Sequence, residues 1–236
     1  MLGLLRFVVF FTVLAGGLAF VALPALASPL LTQMVRDAGL RATELSVTVG
    51  YFDLGLLVGR PERLRIEARG VTLGPATVGG LDLTLGQADL FGRTFESIIG
   101  NVRDIELTAG GLDVGVDRVD ISGPAEAASV TVHLTPDQSA ELVRQSAQRV
   151  GLSLHDVRLV EGAIRLRLGD VETRATITVD GGAIVLRPQA GPRLLLLQPA
   201  PSDPWRLTDA WISDEGLSLR GVVDAAALAR VAREAR

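Results

Sequence analysis

Side chains that can act as a base near neutral pH are scarce in this chain of 236 residues, whose only histidines are His133 and His155. A Ser-His-Asp relay therefore has two candidate bases, and no Gly-x-Ser-x-Gly elbow is present to supply the nucleophile. Both histidines occupy polar positions of alternating segments, where a solvated imidazole is the plainer reading. Cysteine is absent, so no disulfide and no thiolate metal site can form. Lysine is absent as well, and all 23 basic residues are Arg, which removes Schiff-base chemistry and the Walker-type phosphate loop. Asp113, Asp117 and Asp120 cluster near Gly115 and could attract a hard cation. The EF-hand spacing is missing, however, and Asp113 and Asp117 alternate with apolar residues as on a wet strand face. Arg60, Arg63, Arg65 and Arg69 form a basic stretch that Arg165 and Arg167 echo. Guanidinium binds phosphate bidentately, so such a row beside an apolar groove could hold a lipid phosphate. An ordinary solvated face balanced by Glu62 and Glu67 accounts for the same residues. With 27 acidic residues and a net charge of -4, the composition argues against a nucleic-acid partner. No cofactor and no metal are called for, and the reading is of a non-enzyme.

The elements that would position these residues are mostly strands. Leu64, Ile66 and Ala68 alternate with Arg63, Arg65, Glu67 and Arg69. The same period of two runs through Leu81–Leu85, Leu112–Val116, Val130–Leu134, Ile164–Leu168, Val171–Val179 and Leu217–Leu219. Each run has one apolar and one wet side, the pattern of antiparallel sheet buried on a single face. Glycines at Gly70, Gly74, Gly79-Gly80, Gly110-Gly111 and Gly181-Gly182 read as boundaries, and Asp180-Gly181 as a hairpin turn. One strong helix is expected over Pro136 to Val150. Thr135 is its N-cap, Pro136 its first residue, Gln138 completes a capping box and Gly151 stops it. Shorter helices are expected at Pro29–Ala38 and Asp224–Glu234.

The first 27 residues stand apart. Arg6 is their one charged side chain, Phe7 to Leu23 is almost unbroken apolar sequence, and Ala25-Leu26-Ala27 offers a small-residue cleavage site before Ser28. A membrane span needs about 20 apolar residues, and Leu4–Leu23 reaches that length. Residues 1–27 thus read as a signal peptide or a membrane anchor, and 28–236 as a β-rich domain outside the cytoplasm. Cleavage and retention at the cytoplasmic membrane both remain open.

At least seven strands then present aliphatic stripes, and one helix of four turns cannot cover them all. The sheet must cover itself, as a barrel, half-barrel or sandwich, or leave a channel for something equally aliphatic. The segment from Tyr51 to Gly59 is apolar without clean alternation. It suits a buried turn or an exposed greasy lip equally.

The run Gly50-Tyr51-Phe52 through Leu57-Val58-Gly59-Arg60, followed by Arg63 to Val71, resembles the LmeA-type phospholipid-binding family of actinobacterial envelopes. The order of strand Val130–Leu134, helix Pro136–Val150, strands Val157–Leu159 and Ala163–Leu168, then Asp180-Gly181-Gly182, Leu186-Arg187-Pro188, Leu207-Thr208-Asp209-Ala210 and Glu215-Gly216-Leu217 is similar too. The resemblance covers most of Ser28 to Leu228. It implies an α+β, mostly β fold: a long curved antiparallel sheet, half-barrel or tubular-lipid-binding (TULIP-like), wrapped on one amphipathic helix behind an N-terminal signal or anchor helix. The exported AsmA-like envelope proteins are a related possibility. On this reading phospholipid acyl chains lie against Leu64, Ile66, Leu83, Leu85, Val114, Val132, Leu142, Val143, Ile164 and Leu166. Tyr51, Phe52, Leu54, Leu56, Leu57 and Val58 form an entrance lip, and Arg60 and Arg63 meet the headgroup. The expected partners are a phospholipid or other acyl lipid and a membrane surface, and the role is lipid transfer or envelope maintenance. The rival expectation is a membrane-tethered scaffolding module with a dry core. A third is a hydrolase built on His133 or His155.

Overall fold

The computed structural model describes residues 42–50, 53–73, 76–92, 94–109, 112–160, 162–198 and 205–225. The expected signal or anchor, the helix Pro29–Ala38 and all but the first residues of the helix Asp224–Glu234 lie outside the described residues. Among the described residues no helix is long and apolar enough to cross a membrane.

The chain is mostly β. Its strands are β1 (Glu44–Val49), β2 (Arg63–Leu73), β3 (Ala76–Gly86), β4 (Ser97–Ala109), β5 (Leu112–Pro124), β6 (Ala128–Leu134), β7 (Asp156–Val160), β8 (Ala163–Leu168), β9 (Val171–Asp180), β10 (Ala183–Pro188), β11 (Leu194–Leu197), β12 (Trp205–Ser213) and β13 (Gly216–Val223). Helix α1 (Pro136–Arg149) and a short 3-10 helix (Leu54–Val58) accompany them. Two antiparallel sheets result. One has eight strands in the order β1-β2-β3-β4-β5-β6-β13-β12, and the other has five in the order β11-β10-β9-β8-β7. The larger sheet is open, with β1 and β12 as its edges. The single curved sheet expected from the sequence is therefore divided in two, and the self-covering takes the form of one sheet and a helix laid over part of another.

Helix α1 begins and ends as its sequence dictates. The Thr135 hydroxyl accepts from the Gln138 amide, and the Gln138 side chain accepts from the Thr135 amide at 2.9 Å, so two otherwise orphaned donors are satisfied. Ser139 then ties the helix start to the sheet. Its Oγ donates to the Thr135 carbonyl at 2.7 Å and accepts from the Leu217 amide of β13 at 3.3 Å. The helix packs on β5, β6 and β13 from one side and on β7 and β11 from the other.

Glycines read as boundaries fall inside strands in two places, Gly70 in β2 and Gly79-Gly80 in β3. The physical reason is a bend shared by four strands. The apolar alternation slips by one residue between Ala68 and Val71, between Val78 and Leu81, between Val102 and Ile105, and between Val116 and Val119. All four slips fall on one transverse row, so the pairing register is unchanged across them. Gly70 (φ 56°) and Asp104 (φ 52°) supply the left-handed backbone that the slip needs. Apolar residues on both sides of the bend stay on one face, where Ala68, Val71, Val78, Leu81, Val102 and Ile105 form a cluster. At the β9–β10 turn, Asp180 pairs with Ala183 and the two residues between them, Gly181 and Gly182, both have positive φ. That is the conformation of a two-residue hairpin loop.

Candidate functional site

The eight-stranded sheet has one continuous apolar face. It runs in register through Val47, Ile66, Leu83 and Gly100 to Ile121, Val130 and Gly221. Its cover is uneven. Over the β12 side, helix α1 and the five-stranded sheet close a core around Leu134, Val143, Ile164, Leu166, Ile184, Leu186 and Leu217. Over the far end of β1 to β3, Val49 and Leu64 are closed off by Leu56 of the 3-10 helix and by Ala88, Leu90 and Phe95 of the loop after β3. Between these two covers lie Ile66, Leu81, Leu83, Val102, Val119 and Val130, each half-buried, on five adjacent strands. Among the described elements, the principal contacts of β2, β3 and β4 are with their own neighbours in the sheet.

The ten residues expected to line a lipid groove divide into three groups. Leu142, Val143, Ile164 and Leu166 are core residues of the sandwich, and Val143, Ile164 and Leu166 have no exposed surface. Val114 and Val132 are half-buried at the margin of that core. Leu64 is buried beneath the 3-10 helix, while Ile66, Leu83 and Leu85 lie half-buried on the open part of the face. Of the ten, Ile66, Leu83, Leu85, Val114 and Val132 keep accessible surface, while the other five are buried.

Of the expected lip, Tyr51, Phe52 and the side chains of Leu54 and Leu57 lie outside the described residues. Leu56 packs inward, and Val58 is 64% exposed. Asp53 caps the 3-10 helix by accepting from the Gly55 amide at 3.0 Å, and Gly59 stops it at φ 73°. A Cβ on Gly59 would collide with the ring of Phe91, which is itself 80% exposed. Phe91 therefore stands against Gly59, the residue that follows Val58. Sequence reasoning passed it over because it lies in a polar turn, where Asp89 accepts from the Phe91 and Gly92 amides at 3.0 and 2.7 Å. These bonds, the Gly92 one foremost, together with the nearby Arg60 guanidinium, hold the Asp89 carboxyl below the usual carboxylate range. Arg60 donates to Asp89 at 3.2 Å, and Arg63 is exposed. Arg65 and Arg69 lie on the opposite, wet face from the aliphatic residues of β2.

That wet face carries its own structure. Arg65 grips Asp82 with two bonds of 3.0 and 2.8 Å, which lower the Asp82 pKa. Beside this pair lies a depression of about 490 Å³ with Gly80 between Arg69 and Arg103. Farther along, His133 is half-buried rather than solvated. Its Nδ1 lies 3.1 Å from Ser218 Oγ, and its Nε2 lies 3.2 Å from Asp120 Oδ2. The three residue types are those of a hydrolase relay, but Ser218 sits mid-strand between β6 and β12. The backbone around it is committed to ladders on both sides, with no spare pair of N–H groups to receive an oxyanion. Arg220 stacks over Trp211 at 5.0 Å, beside Ser218 on the same face. His155 is exposed. Asp120 is engaged by Arg118 at 3.0 Å, and among the described residues no group of three His, Cys, Asp or Glu is placed to hold a metal ion.

Comparison with family models, curated proteins and solved structures finds no match for the chain.

Proposed function

We propose that this is an exported cell-envelope protein that holds the acyl chains of a phospholipid against the open part of its eight-stranded sheet. One observation carries the reading. An apolar face spans all eight strands; among the described residues α1 and the second sheet cover its β12 side, while Ile66, Leu81, Leu83, Val102, Val119 and Val130 stay half-buried on adjacent strands. Transfer of a methylene from water to such a surface is worth about 0.8 kcal/mol. Two acyl chains therefore bind through the sheet alone, without bond-making chemistry. Val58 and Phe91 give the lip an exposed apolar contact for a membrane surface, and Arg60, at the end of the 3-10 helix, places a cation two residues along the chain from Val58. The N-terminal run Phe7–Leu23 supports export. The resemblance to LmeA-type and TULIP-like proteins points the same way.

A second reading is favoured by a different observation. Val143, Ile164 and Leu166 are fully buried in one core cluster with residues of α1 and both sheets. A membrane-tethered scaffolding module needs no more than that core and its wet faces. Organic extraction of natively purified protein, followed by mass spectrometry, separates the two. Stoichiometric phospholipid is the expected result. Lipid-free protein with undiminished thermal stability would leave the scaffold as the answer.

A further inference from the structure

The outward face of the five-stranded sheet carries much of its charge as arginine. Arg158 of β7 pairs in register with Arg165 of β8, and Arg165 with Arg174 of β9, so three arginines stand abreast on adjacent strands. Adjacent strands lie about 4.8 Å apart. Like charges directly opposite one another across a ladder are destabilising, so this row opposes folding unless something offsets it. The next row is Asp156, Arg167 and Glu172. Its two carboxylates answer part of the charge: Arg158 Nε donates to Asp156 at 2.9 Å, and Arg165 Nε donates to Glu172 at 3.0 Å. Arg167 has no carboxylate partner among the described residues. A depression of about 130 Å³ lies among Asp156, Arg158, Arg165, Arg167 and Glu172. Three arginines against two acids leave it with an excess of one positive charge, in a chain whose net charge is -4.

We propose that this depression is an oxyanion site for a phosphate-type group, held by Arg158, Arg165 and Arg167. Guanidinium donors match a tetrahedral oxyanion bidentately, and an anion among them replaces mutual repulsion with charge-assisted hydrogen bonds. The space suits one phosphoryl group, either free phosphate or the headgroup of an anionic lipid. The other face of β8 is packed in the core through Ile164 and Leu166, so the site is separate from the open apolar face and is tested independently of it.

The test follows the melting temperature of the full chain as inorganic phosphate is titrated against chloride at constant ionic strength. Phosphate raises the melting temperature of the native protein. In Arg165→Gln the apparent affinity falls about tenfold or more, the loss expected for a charge-assisted contact. The same substitution leaves the phosphate-free melting temperature unchanged or higher, because it also removes the repulsion; a variant that was merely misfolded would melt lower. Equal stabilisation by chloride, or an unaltered phosphate response in Arg165→Gln, overturns the site. Sedimentation with phosphatidylglycerol and phosphatidylcholine vesicles then distinguishes the sources. If the headgroup is the ligand, native protein prefers phosphatidylglycerol and Arg165→Gln loses that preference. If free phosphate is the ligand, the two proteins sediment alike while their phosphate responses still differ.

Discussion

The two ends of the eight-stranded sheet are written in the same alternating code and meet different fates. On β6 and β13, Leu134 and Leu217 lie beneath α1 and the second sheet and are almost wholly removed from water. On β2 to β4, Ile66, Leu83 and Val102 face the same way and remain half-buried. Side-chain chemistry does not separate them, since both sets are plain aliphatics. Among the described residues, what separates them is the cover of α1 and the second sheet, and such cover is long-range information. Aliphatic periodicity thus identifies a face that wants cover, without saying what provides it.

Substitutions should break that comparison cleanly. The largest effect is expected at Leu166→Ala, where a fully buried side chain leaves a cavity in the sandwich core. The loss is about 2–5 kcal/mol by urea denaturation, and a loss under about 1 kcal/mol would show that this core is not tightly closed. Leu83→Ala on the open part should cost only about 1 kcal/mol or less, since less area leaves water. A charged replacement there, Leu83→Asp, sharpens the contrast: circular dichroism stays native while phospholipid recovered in organic extracts drops at least fivefold. Undiminished lipid in that variant would remove the open face from the binding surface.

Thr135→Ala removes one half of the capping box and should lower stability by about 1 kcal/mol, measured by the same denaturation. The smallest effect concerns Asp82, whose folded pKa is depressed first of all by the hydrogen bond from Arg65. A depressed carboxylate contributes stability above its unfolded pKa of about 4 and loses it as the pH falls through the lower folded value. Native protein should therefore weaken more than Asp82→Asn as the pH is lowered from 5 toward about 2. Parallel acid profiles would mean that this exposed pair contributes nothing measurable.

Much of the fold was legible residue by residue. The cap at Thr135, Pro136 and Gln138 is local chemistry, and the helix begins where those residues place it. Hairpin β9–β10 is equally local, because Gly181 and Gly182 alone tolerate its backbone. Gly70 and Gly79-Gly80 misled for the same reason: glycine signals unusual backbone, whether it ends a strand or bends four of them along one row. The candidate site was legible only in part. Leu83 and Ile66 could be picked out as aliphatic, but nothing in the sequence distinguished them from Ile164 and Leu166, which the fold buries. Phe91 was missed because an exposed aromatic in the turn Asp89 to Gly92 acquires meaning only through its approach to Gly59, next to Val58. His133 was read as solvated because its partners, Asp120 and Ser218, are 13 and 85 residues away along the chain.

By itself the sequence determined an antiparallel, largely aliphatic sheet, one capped helix, and a chemistry without cysteine, lysine or a nucleophile elbow. These follow from periodicity, capping and composition, each settled within a few residues. The tertiary structure alone decided that the strands split into two sheets, which part of the larger sheet lies under α1, and that Arg158, Arg165 and Arg174 stand abreast. Those outcomes depend on pairing between strands and on where a helix lands, and such contacts join positions that no local pattern connects.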